Sequence, residues 1–210
     1  MKVLSVNIGK AQTITWRGKQ VKTGIYKYPV QEPLFLGLED VVGDSVVDRK
    51  YHGGIDKACY LFSEDHYARW KMLYPELDWQ PGMFGENLTV AGLNEQEIFI
   101  GDIYEIGSAL VQVTQPRQPC FKLGVRFGSQ KVLREFIEYG YAGVYVRVLQ
   151  KGKVSQEDQL TLIERKKSNP SIFEIFKLLY TEEYSHKTIE LAANTEFLAA
   201  SCKRDLLKKL

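Results

Sequence analysis

The first two thirds of the chain alternate short apolar runs with turn residues. KVLSVNI (2–8) is an apolar run with β-branched side chains. TITW (13–16) and QVKTGIYKY (20–28) follow at hairpin spacing around Arg17-Gly18. The pattern continues through KACYLF (57–62), NLTV (87–90), EIFI (97–100), IYEI (103–106), ALVQVTQ (109–115), AGVYVRVLQ (142–150) and QLTLI (159–163). ALVQVTQ and VYVRVLQ alternate apolar and polar positions, as half-buried strands do. Gly101-Asp102 and Ile106-Gly107-Ser108 supply turn chemistry between strands. Many short strands with regular turns predict a barrel or a folded-over sheet.

Two segments break this period. Ser63 is placed to cap a helix over EDHYARWKMLY, which Pro75 stops. Ser129 is placed to cap QKVLREFIEYG, where Val132, Leu133, Phe136 and Ile137 share one face and Gly140 ends the helix. After ERKKSN the helical period takes over. Asn169-Pro170 reads as a cap with proline at the first helical position of SIFEIFKLLY. A second helix is expected over 186–193, and Thr195 reads as the cap of EFLAASCKRDLLKKL. The expected organisation is a mainly β domain with helices over residues 1–165 and a small three-helix unit over 166–210.

Composition narrows the function classes. The 210 residues suffice for one sizeable domain and an appendage. With 44% hydrophobic and 26% charged residues the chain reads as a soluble globular protein. No apolar run is long enough for a membrane span. The start, MKVLSVNIGK, lacks the apolar region of a secretory signal, so the expected location is the cytoplasm. A net charge of +2 argues against nucleic acid as a partner, and the basic CKRDLLKKL reads as a solvated helix face. Cys59, Cys120 and Cys202 form no CxxC pair, which disfavours a structural zinc site or a disulfide framework.

Unusual polar residues concentrate in four punctuated stretches: GDSVVDRKYHGGIDKACY (43–60), GENLTV (85–90), GDIYEIG (101–107) and TQPRQPCFKLG (114–124). In the first, Asp48, Arg49, His52, Asp56 and Lys57 surround Gly53-Gly54. Paired glycines let backbone N–H groups approach an anion, and the cations add charge. A tight turn carrying a surface charge network is the competing reading, with His52 as a hydrogen-bonded structural histidine. In the fourth, Pro116 and Pro119 stiffen the segment and so hold Cys120 at a fixed angle. Arg117 and Lys122 favour the thiolate, the form that acts as nucleophile and metal ligand. A buried cysteine acting as a small hydrophobe is the alternative. Cys59, within an apolar strand, and Cys202, on a helix, read as packing residues. GxSxG, Walker and HExxH motifs are lacking. From the residues alone, this is an anion-binding, β-rich domain with one candidate reactive thiolate.

The blocks GD…DRKYHGGIDKACYLF, GENLTV, GDIYEIG, VTQPRQPCFKLG and GVYVRVLQKGKV together resemble the MOSC family, named for the C-terminal domain of molybdenum cofactor sulfurases. The match is closest to its stand-alone YiiM-like branch, and the tail is similar to the three-helix extension of that branch. One departure is Glu157-Asp158, where the family pattern has glycine before the aspartate. The resemblance implies a MOSC β-barrel-like domain, a bound molybdenum cofactor (Mo-molybdopterin) and Cys120 as the catalytic metal ligand. It further implies reduction of N-hydroxylated compounds, such as hydroxylaminopurine-type bases, amidoximes or hydroxylamines. Electrons would come from a separate flavin-containing reductase, since this chain has no flavin or nicotinamide fingerprint. Arg49, Lys57, Arg117 and Lys122 are then candidates for the pterin and its phosphate, with Gly53 and Gly54 N–H groups beside them. His52 and Asp56 are candidates for the pterin edge, and Asn87 and Thr89 for the wall, unless they merely close a β-turn. Two other functions remain open: a persulfide carrier using Cys120, and a non-catalytic cofactor carrier or storage protein. The tail is expected to cover a barrel edge, shape substrate access or make a homodimer contact.

Overall fold

The computed structural model describes residues 1–47 and 53–210. Twelve strands form among them: β1 (Lys2–Ile8), β2 (Gln12–Trp16), β3 (Lys19–Thr23), β4 (Tyr28–Pro29), β5 (Leu34–Leu36), β6 (Cys59–Ser63), β7 (Leu88–Ala91), β8 (Ile103–Ile106), β9 (Ala109–Pro116), β10 (Val144–Gln150), β11 (Gly152–Val154) and β12 (Leu160–Glu164). Eight make one sheet in the order β12-β8-β9-β10-β6-β7-β1-β4. No continuous ladder closes the sheet among the described residues. Its ends still approach: Lys2 bridges Gln159, and Val3 N donates to Asp158 O at 2.9 Å. β6 and β7 run parallel, so the chain between them must cross over. That crossover carries α1 (Tyr67–Leu73). The remaining α-helices among the described residues are α2 (Phe121–Arg126), α3 (Lys131–Tyr139), α4 (Ile172–Tyr180), α5 (His186–Ala193) and α6 (Ala200–Leu207).

Strand period two separates two cores. On β6, Cys59 and Leu61 join a cluster of mostly aliphatic side chains with Val144, Val146, Val111 and Val113. The alternate residues Tyr60 and Phe62 face an aromatic cluster with Trp70, Phe84, Phe127 and Phe136. Phe62 stacks on Phe84 with ring centroids 4.1 Å apart. β10 repeats the division, Tyr145 turning to the aromatic side between Val144 and Val146. The aliphatic cluster also takes in Ile172, Ile175, Ile189, Ala193 and Cys202, so the three tail helices share a core with the sheet.

The hairpin around Arg17-Gly18 forms as expected, with φ of 48° and 74° at the two turn residues. Gly140 ends α3 in the left-handed region at φ 84°. Several expectations need correction. EIFI (97–100) forms no strand: Asp102 Oδ2 accepts the Phe99 N–H at 3.1 Å and folds the segment into a turn. Ser63 does not cap the next helix; a 3-10 turn over Glu64–His66 precedes α1, and the Ser63 hydroxyl is buried without a partner among the described residues. Ser171, not Asn169, caps α4, in a capping box where Glu174 N donates to Ser171 Oγ at 3.2 Å and Ser171 N to Glu174 Oε2 at 2.7 Å. Thr195 does not cap α6, which begins only at Ala200, after Phe197 at φ 70°. Glu157, where the family pattern has glycine, sits at φ 76° in the region that favours glycine. No described helix is long and apolar enough to cross a membrane.

Candidate functional site

On the face to which β6 and β10 turn Tyr60 and Tyr145, the surrounding loops leave an open pocket. Cys120, Arg117, Lys122, Lys57 and Asn87 all line it. The QPRQPC segment runs off the end of β9 into a helix, so Cys120 is the N-cap residue of α2, extended at φ −134° and half-buried. Its carbonyl accepts the Leu123 N–H at 2.9 Å, which fixes the thiol-bearing residue to the first turn.

Arg117 is 4% exposed, and its guanidinium lies over the Tyr60 ring, 5.1 Å from the centroid. Burial opposes its charge, but Tyr60, Tyr145 and Cys120 outweigh that and hold it above its ordinary value. Its Nη1 is buried with no hydrogen-bond partner among the described residues. Leaving such a donor unmatched costs on the order of 1–3 kcal/mol, so the site suits an anionic acceptor. Lys122, on the first turn of α2, is also buried. Lys57 ends the 3-10 turn Ile55–Lys57; burial pushes its ammonium below the usual range, against the raising influence of Cys202 and Asp205.

The other expected residues divide between the pocket wall and its surroundings. Asn87 is committed to the wall: its Nδ2 donates to Asp44 Oδ2 at 3.0 Å, and its Oδ1 accepts Tyr60 N at 3.3 Å. Thr89 is buried on β7, donating to Glu86 Oε1 at 2.8 Å. Gly53, Gly54 and Asp56 border a neighbouring recess beside α6 that shares Lys57 with the pocket. Asp56 Oδ1 pairs with Arg147 at 2.8 Å, and Asp56 Oδ2 accepts Ala200 N at 3.3 Å. Arg49 and His52, with Asp48, fall outside the described residues.

Sequence reasoning missed several pocket residues. Lys27 and Asp44 form an ion pair with side chains 8% and 2% exposed. Asp44 Oδ1 also accepts Gly9 N at 2.9 Å. Burial pushes the Lys27 ammonium below its usual range, with Asp44 opposing. Tyr60 and Tyr145 form the floor, ring centroids 5.0 Å apart, and burial raises both phenols. Strand alternation would have flagged the tyrosines; nothing local marks Lys27. Gly24 lines the pocket where a Cβ would fall 1.7 Å from the Ser45 carbonyl oxygen, so the two rim segments require glycine there. The adjoining GENLTV loop hangs on Glu86, which is fully buried and accepts from Gly82 N (2.8 Å), Phe84 N (3.0 Å), Thr89 Oγ1 (2.8 Å) and the Tyr67 hydroxyl.

Among the described lining residues, Lys27, Lys57, Arg117 and Lys122 face a single carboxylate, Asp44. The fold and pocket therefore define a mainly β domain with a cationic, thiol-bearing pocket. Residues 48–161 match the MOSC domain. The chain is 38% identical over 207 residues to the uncharacterized protein YflK of Bacillus subtilis, covering 99% of this chain and 93% of that one. It is 33% identical over 171 residues to a Gibberella moniliformis protein named Reductase, covering 80% of this chain but only 30% of the relative. The crystal structure of YiiM from Geobacillus stearothermophilus superposes with a TM-score of 0.83 at 34% identity, covering 100% of this chain and 98% of that one. This chain belongs to the MOSC domain family, in its YiiM-like branch.

Proposed function

We propose that this protein is a molybdenum-cofactor-dependent oxidoreductase that reduces N-hydroxylated compounds to the amine or amidine. The observation that carries the reading is one pocket holding Cys120 beside Arg117, whose buried Nη1 lacks a partner among the described residues. The residues present fit the group: a soft thiolate suits a high-valent molybdenum whose other sulfur ligands come from its own pterin dithiolene. Arg117, Lys57 and Lys122 supply charge and donors for the pterin and its phosphate. When bound, the cofactor supplies two-electron chemistry at the metal. The protein's part is to present the thiolate at a set angle and neutralise the phosphate. The overall change takes two electrons and two protons, replaces N–O by N–H and releases water, the electrons coming from a separate flavin-containing reductase. The name Reductase, carried by the Gibberella relative, and the family's association with this cofactor support the same reading.

Elemental analysis of protein from a cofactor-sufficient host tests it. Near-stoichiometric molybdenum is expected in the wild type and its loss in Cys120→Ser. Full retention in Cys120→Ser removes the cysteine as ligand. A cyanide-labile persulfide on Cys120 without molybdenum points instead to a sulfur carrier. Loaded protein that cannot reduce hydroxylamino substrates with an artificial donor is a carrier or storage protein.

A further inference from the structure

The last helix of the tail grips both walls of the pocket. On the thiol side, Ser201 Oγ donates to Gln115 Oε1 at 2.9 Å, and Gln118 Nε2 donates to Asp205 Oδ2 at 3.3 Å. These two glutamines bracket Pro116-Arg117, and Gln118 is two residues from Cys120. On the opposite side, Asp56 Oδ2 accepts the Ala200 N–H, the first amide of α6. Asp56 thus does for α6 what the sequence assigned to Thr195: it satisfies a helix-start donor, from another part of the chain. The residue after Asp56 is Lys57, which lies close enough to α6 to feel Cys202 and Asp205. Two further bonds complete the joint: Ala199 N to Thr114 O at 3.1 Å, and Arg147 Nη2 to Phe197 O at 2.9 Å.

We propose that α6 is a positioning element of the ligand site. Ser201 and Asp205 act through Gln115 and Gln118 to set Arg117 and Cys120, and the Ala200 amide acts through Asp56 to set Lys57 across the pocket. What the braced pocket holds rests on the functional reading above; the brace itself acts in the cofactor-free protein. The helix does not depend on the polar contacts to stay docked, because Cys202 and Leu206 anchor it at 0% exposure. Removing the two side chains therefore loosens the loops and leaves the fold in place.

The test uses full-length, cofactor-free protein. Cys59 and Cys202 are fully buried, so iodoacetamide reads the half-buried Cys120. Ser201→Ala/Asp205→Ala is expected to speed alkylation, and amide exchange over 115–122, by roughly fivefold for each net hydrogen bond lost, while 54–58, held by the Ala200 backbone N–H, stays near wild type. Asp205→Asn, which keeps an acceptor for Gln118, should stay near wild type. Gln118→Ala, which changes no residue of α6, should reproduce the share of the effect over 115–122 that comes from the Asp205 bond. Alkylation within about twofold of wild type in the double variant and in Gln118→Ala, or faster exchange confined to α4–α6, overturns the proposal. Because no metal is involved, the two readings fail separately. An unchanged thiol with molybdenum still bound sinks only the brace, and a loosened thiol in a protein that never takes molybdenum sinks only the functional reading.

Discussion

Replacing Glu86 by glutamine conserves shape and removes one acceptor oxygen from a fully buried site that four donors share. Oε2 accepts from Phe84 N, and Oε1 from Gly82 N, Thr89 Oγ1 and the Tyr67 hydroxyl. If the new amide nitrogen takes the Oε2 position it faces the Phe84 N–H. If it takes the Oε1 position it faces the Gly82 N–H, while the two hydroxyls rotate to accept. Either way one buried backbone donor is stranded, at a cost of about 1–3 kcal/mol. The surviving bonds lose their ionic component, roughly another 1 kcal/mol or more together. Glu86→Gln should therefore destabilise the protein by about 3 kcal/mol, a large share of the ~5–15 kcal/mol typical of a domain. Urea unfolding followed by fluorescence measures this as a lower midpoint at unchanged slope. Thr89→Val, which removes one donor and leaves the carboxylate, should cost only about 1 kcal/mol. A loss below about 1 kcal/mol for Glu86→Gln would refute the argument that these donors require two acceptor oxygens.

Glu157→Gly should stabilise the protein by roughly 0.5–1 kcal/mol by thermal melting, because Glu157 holds φ 76° and its exposed pair with Lys2 contributes little; a lower melting temperature counts against this. Stability should also fall as the pH rises above about 9. Burial raises the thiols of Cys59 and Cys202 to about 12, and the phenols of Tyr60, Tyr67 and Tyr145 as well. The unfolded chain releases those protons near the ordinary values while the folded one keeps them, so each group removes up to ~1.4 kcal/mol per pH unit between its unfolded and folded values. Melting temperatures from pH 8 to 11 measure it, and a flat profile contradicts it.

Much of the fold and part of the site could be read along the chain. Strand alternation at VYVRVLQ, the Arg17-Gly18 turn and the helix ended by Gly140 are local, because backbone preferences and side-chain period act within a few residues. The stiff QPRQPC segment, with a cation on either side of its thiol-bearing end, is local too, and it lies in the pocket wall. α2 was not legible, since six residues are too few for a helical period to stand out. EIFI misled because its isoleucines are buried in a turn, and burial alone looks like a strand.

The rest came from folding, wherever a charge or a hydrogen bond found its partner far along the chain. Asp44 meets Lys27 and Asn87, Glu86 meets Tyr67, and Asp56 turns from the pocket to Arg147 and the start of α6. Residue types and their order were enough to pick out the side chains with the chemistry for a metal-binding thiol and an anion. Only the fold determined which share one cavity, because polar partners are chosen by proximity and desolvation, and neither is written in sequence spacing.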